Sequence, residues 1–189
     1  MNINPPDDNT EKDLIHLVKY NPAWPQLAEA EIQILRNQLP YSWIVDFQHV
    51  GSTAIPGIAA KPIIDIYIGV TSLSLAEQNA IKPIEALGYQ FWDQRPEHPK
   101  LFFVKGMPPF GEGRTHHVHI VEYKSDYWTA TILFRDYLRN HPEEVICYEQ
   151  LKCRLMAEHR YDREAYTNGK NDYVANVLRK AGFAKDVRR

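Results

Sequence analysis

The run His49–Val50–Gly51–Ser52–Thr53 places a glycine and two hydroxyl side chains at the end of an apolar alternation. Glycine lets backbone N–H groups converge on an anion, and Ser52 and Thr53 add hydroxyl donors, so the chemistry expected of this turn is phosphate binding. Lys61 follows just ahead of the apolar run Ile63–Val70 and can supply a cation. Inside that run sits Asp65. A charged carboxylate buried without a partner costs several kcal/mol. Asp65 therefore has to meet Lys61, a metal ion or another donor. A site role, with Asp65 as the catalytic candidate, is read ahead of a structural aspartate accepting backbone hydrogen bonds at a strand end.

His117 and His119 are two apart on an expected strand and share one face, with His116 and Glu122 on the other. Beside Asp65, the pair suits contact with a phosphate or other ligand first and packing second. The third reading is ligation of a transition metal, with Asp65 and His119 as ligands. Near the C-terminus, Tyr166, Lys170, Tyr173 and Val177 follow the spacing of one helical face, and Lys152 sits beside Tyr148, Leu155 and Met156. A lysine on an apolar side either snorkels to water or faces an anion. Each of these lysines stands one helical turn after a tyrosine, which favours an anion pocket opposite the Gly51–Ser52 turn. Arg135 and Arg114 are further candidates, although Arg135 lies off the Ala130–Leu133–Phe134–Tyr137 stripe and its direction is not set by the pattern. Trp24, Trp43, Phe102 and Phe103 read as core.

The elements that must carry these residues follow from periodicity. Residues 1–12 read as a disordered lead-in and residues 13–189 as a single domain. Asn21 and Pro22 open a first helix that Pro40 stops. The span 43–50 alternates as a strand, and Ile63–Val70, apolar on both faces, reads as a central one. A helix is expected over 76–87, strands over 101–104 and 116–122, and an irregular loop over 106–113. Three helices follow, over about 127–140, 142–159 and 163–181. This order gives an α+β fold, a mixed β-sheet with flanking helices and a C-terminal helical portion.

A Gly-Ser turn, a spacer and then an aspartate on an apolar strand resembles the nucleotidyltransferase signature, glycine-serine followed by aspartate-x-aspartate. That resemblance implies a turn that holds nucleotide phosphates and carboxylates that hold Mg2+ or another divalent ion. The block from His49 to Ile66 is similar to the hallmark of the GrpB family. The similarity continues through His116–Glu122, Phe134–Arg139, Tyr148 with Leu151–Lys152, and Glu164–Thr167 with Lys170. The resemblance also implies a family whose members occur fused to dephospho-coenzyme A kinases. One departure matters. The second acid position holds Tyr67, and a phenol with an ordinary pKa near 10 is a poor magnesium ligand at neutral pH, so the acidic pair is incomplete.

Bulk properties bound the function. The chain has 189 residues, 44% hydrophobic and 24% charged, with net charge −2 and a sequence pI of about 6.4. No basic stripe marks a nucleic-acid binder, so an RNA-modifying transferase is disfavoured. The longest apolar run is too short to span a bilayer, and Cys147 and Cys153 fall on different helical faces, unable to bridge. A reduced, cytoplasmic protein is expected, with its oligomeric state open. Two functions stay in view: an enzyme transferring a nucleotidyl group onto an acceptor, and a binding or regulatory module with a degenerate metal site. In both, the ligand is a nucleotide or phosphorylated small molecule held by Gly51, Ser52, Thr53, Lys61, His117, His119, Arg135, Lys152, Tyr166 and Lys170.

Overall fold

The structure, a computed structural model, describes residues 14–92, 100–109 and 111–185. The expected lead-in over residues 1–12 lies outside these. Helix α1 (Trp24–Gln38) starts two residues after Pro22, with Pro25 in its first turn and Ala23 as a cap without a side-chain bond, while Asn21 Oδ1 accepts the Ala23 N–H at 2.9 Å in the preceding turn. Then come β1 (Ile44–Val50), a single 3-10 turn (Ser52–Ala54), β2 (Ile64–Val70), and two short helices, α2 (Leu73–Asn79) and α3 (Ile81–Glu85). Strands β3 (Tyr89–Trp92), β4 (Lys100–Lys105) and β5 (His116–Glu122) precede α4 (Asp126–Asn140), α5 (Pro142–Glu158), α6 (Arg163–Asn168) and α7 (Asn171–Lys180).

The strands form one mixed sheet in the order β1-β2-β5-β4-β3. Only β2 and β5 run parallel; β1 with β2, β5 with β4 and β4 with β3 are antiparallel. Parallel neighbours need a crossover. Here the chain between β2 and β5 makes it, carrying α2, α3 and the β3–β4 pair. The α+β architecture inferred from the order of elements is present.

One sheet face buries Phe47, Ile64, Ile66, Ile68, Phe103, Val118 and Ile120 against the apolar stripe Trp24, Ala28, Ile32 and Leu35 of α1. The other face carries Asp65, Tyr67, His117 and His119, as the alternation of side chains requires. Helix α4 covers part of that face, with Trp128 packed near Val50, Tyr67 and Val121. Its opposite side joins α5 and α7 in a second core that takes in Ile55 and Ile58 from the segment after the 3-10 turn.

Four local expectations are corrected. The helix expected over 76–87 is two, α2 and α3, and β3 is an additional strand. A register shift between Ile44 and Asp46 interrupts the alternation of β1, leaving Val45 exposed although Phe47 is buried. The last helix, expected over 163–181, breaks into α6 and α7 at Gly169, which packs close to α5: an added Cβ would lie 2.5 Å from the end of the Leu155 side chain, which would have to move aside.

Candidate functional site

Gly51 leaves β1 with φ 72° and ψ −171°, a region essentially reserved for glycine. The close approach is as restrictive as the backbone. An added Cβ would stand 2.3 Å from Asp65 Oδ2. The turn is thus wrapped onto the carboxylate of the neighbouring strand, where Val50 and Asp65 are register partners.

Asp65 is held from the other side by His117, its register partner across the parallel β2–β5 pair. His117 Nδ1 lies 3.0 Å from Asp65 Oδ1. Burial opposes ionisation of Asp65. The hydrogen bond from His117 and the fields of His117, His119 and Lys61 outweigh it, holding the carboxyl at about 2. His117 goes the other way: burial lowers its pKa, opposed by Asp65 and reinforced by Lys61 and Arg114. An ionised carboxylate only accepts, so the neutral imidazole donates from Nδ1 and its lone pair sits on Nε2. Nε2 is buried and has no hydrogen-bond partner among the described residues. His119 stacks on Phe102 at 4.6 Å between centroids and lies 5.2 Å from the Tyr67 ring. Candidate donor atoms of Asp65, His117 and His119 all lie within 4.8 Å of one another.

Tyr67 does not enter this group as a ligand. It is buried, its hydroxyl accepts a hydrogen bond from Thr131 Oγ1 on α4 at 3.2 Å, and it packs toward Trp128. The remaining set, one carboxylate and two imidazoles, fits magnesium poorly, because Mg2+ favours an octahedron of oxygens. It is a set that could hold another divalent ion.

A second group forms around Tyr166. Its buried ring has Lys170 Nζ at 4.5 Å and Lys61 Nζ at 5.5 Å from its centroid. Lys61 connects the two groups, because its field acts on Asp65 and His117 as well as on Lys152. Lys152 is buried and donates to the Ala59 carbonyl, while Glu149 Oε2 accepts the Ala59 N–H at 3.0 Å. Burial, with some help from Lys61, lowers the Lys152 ammonium to about 8. Its partner is a backbone carbonyl, so it anchors the segment ahead of Lys61.

Other expected residues also turn inward. Thr53 Oγ1 donates to the Ile63 carbonyl at 3.3 Å and therefore accepts from His49 Nε2 at 2.9 Å. Arg135 Nη1 donates to Gln48 Oε1 and to the His49 carbonyl, both at 2.8 Å, and Nε to Asp136 at 2.7 Å. Arg135 thus braces the end of β1 behind the turn. Ser52 makes no side-chain hydrogen bond among the described residues. Glu122, exposed at the far end of β5, is absent from the acid–imidazole group. Arg114 lies over the Trp92 ring at 4.7 Å.

Three contributors were not singled out by spacing. Phe102, read as core, walls the site against both His117 and His119. Glu149 fixes Ala59, and Arg139 donates to the Ala54 carbonyl at 2.9 Å. Only Arg139 had a signal, its place in the block Phe134–Arg139.

Among the described residues no helix is long and apolar enough to cross a membrane. The crystal structure of GrpB from Enterococcus faecalis superposes with a TM-score of 0.77 at 29% identity, covering 88% of this chain and 96% of that one. Glutamate-rich protein GrpB of Alkalihalophilus pseudofirmus is 36% identical over 88% of this chain and 95% of its own length. A UPF0157 protein of Pseudomonas aeruginosa is 45% identical over 92% of this chain and 70% of its own. With the model for GrpB protein matching residues 14–180, the chain belongs to the GrpB family.

Proposed function

We propose that this protein binds the phosphate groups of a nucleotide or phosphorylated small molecule between the Gly51–Ser52 turn, Asp65 and the Lys61–Tyr166–Lys170 group. The observation that carries this reading is the packing of the turn against Asp65, with two lysines converging on one tyrosine ring nearby. An ionised carboxylate repels phosphate unless a cation stands between them, and Lys61, whose field already acts on Asp65, would supply it. The Ser52 hydroxyl would add a donor to the same ligand. The reaction would be transfer of a nucleotidyl group, with release of pyrophosphate, to an acceptor near His117 and His119. The exposed, unbridged Cys147 and Cys153 suit the reducing cytoplasm.

Tyr67 supports a second reading. With a buried, hydrogen-bonded phenol in place of the second acid, the same pocket can bind its ligand and regulate without turnover.

Calorimetric titration with ATP, CTP, GTP and UTP, with and without magnesium, tests the binding. Heat is expected with at least one, weakened about tenfold in Lys61→Ala and Lys170→Ala with little change in melting temperature. No heat with any of the four overturns the nucleotide reading. Binding without pyrophosphate release selects the regulatory one.

A further inference from the structure

The superfamily pattern calls for carboxylates and magnesium, and the donors present do not match it. From this mismatch we infer that Asp65, His117 and His119 form a site for a single divalent transition-metal ion of the zinc, iron, manganese or cobalt class. Two imidazoles and one carboxylate are a ligand set that such ions accept readily and magnesium does not.

Three observations carry the inference. The donors converge, all within 4.8 Å of one another, from two adjacent parallel strands whose hydrogen bonding fixes their spacing. His117 Nε2 is buried and meets no hydrogen-bond partner among the described residues, so the pairing of this ring is incomplete without a ligand or ion at the site. Asp65 lies 3.0 Å from His117 Nδ1. That is about the separation of two donors at right angles around an ion with bonds of roughly 2.1 Å. Ligation through Nδ1 would replace that hydrogen bond. It is this Nδ1 mode that lets Asp65 share the ion, since an ion on Nε2 would lie across the ring from the carboxylate.

The surroundings are built for fixed rings. His119 is stacked on Phe102 and flanked by Tyr67, while His117 meets the edge of Phe102 at 5.1 Å. The Gly51 backbone closes over the carboxylate, where any side chain would intrude.

The site needs no nucleotide, so it is tested with metal alone. Chelator-treated full-length protein should take up one equivalent of Zn2+ in competition with a chromophoric chelator, and a roughly hundredfold excess of Mg2+ should not displace it. Asp65→Asn, His117→Gln and His119→Gln should each weaken Zn2+ by at least about tenfold, while the Cys147→Ser, Cys153→Ser double variant binds as the parent does. Circular dichroism reports whether each variant is folded. If the ligand variants do not fold, the Co2+ form of the parent decides: visible d–d bands without thiolate charge transfer support the site. Absence of stoichiometric uptake overturns it, as does uptake that survives in folded Asp65→Asn and His119→Gln or vanishes in the cysteine variant. Metal uptake without nucleotide binding would sink only the nucleotide reading, and the converse result only this one.

Discussion

Gly51 and Asp65 are in such close contact that a single methyl group on Gly51 would overlap the carboxylate, standing 2.3 Å from Oδ2. Gly51→Ala therefore meets two penalties, a backbone conformation that side chains reject and a collision with a charged group. The expected loss is about 2–3 kcal/mol of stability, read as a lower urea midpoint at unchanged slope. A variant as stable as the parent would show that the turn relaxes away from Asp65.

His49 makes stability depend on pH. Burial chiefly, with Arg139 and Arg135 adding and Asp65 opposing, lowers its pKa from 6.5 to about 4. Between those values the unfolded chain takes up a proton that the folded one refuses, so stability is full above about pH 6.5 and declines as pH falls toward 4. The contribution is on the order of 2 kcal/mol. Urea titrations at pH 7.5 and 4.5 should show a smaller drop in His49→Gln, whose amide can still donate to Thr53. An equal drop would remove His49 from the account.

Tyr67→Phe separates packing from ligation. It deletes the hydrogen bond from Thr131 and should cost about 1 kcal/mol in thermal unfolding. Phosphate-ligand affinity should not change. A loss of affinity with stability intact would instead give the phenol a direct contact.

Glu149→Ala releases the Ala59 N–H from its acceptor on α5. Hydrogen exchange should speed up across Ala59–Lys61 while β2 keeps its protection. Unchanged exchange there would mean that Lys152 and the Val18–Ala60 bridge hold the segment without Glu149.

Much of this site could be read along the chain because its cues are local. Alternation in Ile63–Val70 placed Asp65 and Tyr67 on one face, and the spacing of His117 and His119 did the same for β5. What alternation lacks is strand order. The meeting of Asp65 and His117 depends on β2 and β5 being parallel neighbours, which a crossover of two helices and two strands arranges. Helical spacing misled at Gly169, because Tyr166, Lys170, Tyr173 and Val177 keep the rhythm of one face across the break between α6 and α7. Lys152 was legible as a cation on an apolar side, whereas Arg135, off its stripe, had no direction set by the pattern. Their partners include the backbone carbonyls of His49 and Ala59, and a carbonyl leaves no mark on residue type.

The anchoring of residues 59 and 60 bears on how the site would meet a ligand. Ala59 is tied to α5 through both of its backbone groups, and Ala60 exchanges two hydrogen bonds with Val18, at 2.9 and 3.0 Å. The backbone that launches Lys61 has therefore already surrendered its freedom during folding. On the proposed binding reading, an arriving anion would not spend that backbone entropy again, and only the Lys61 side chain would still have to settle onto it.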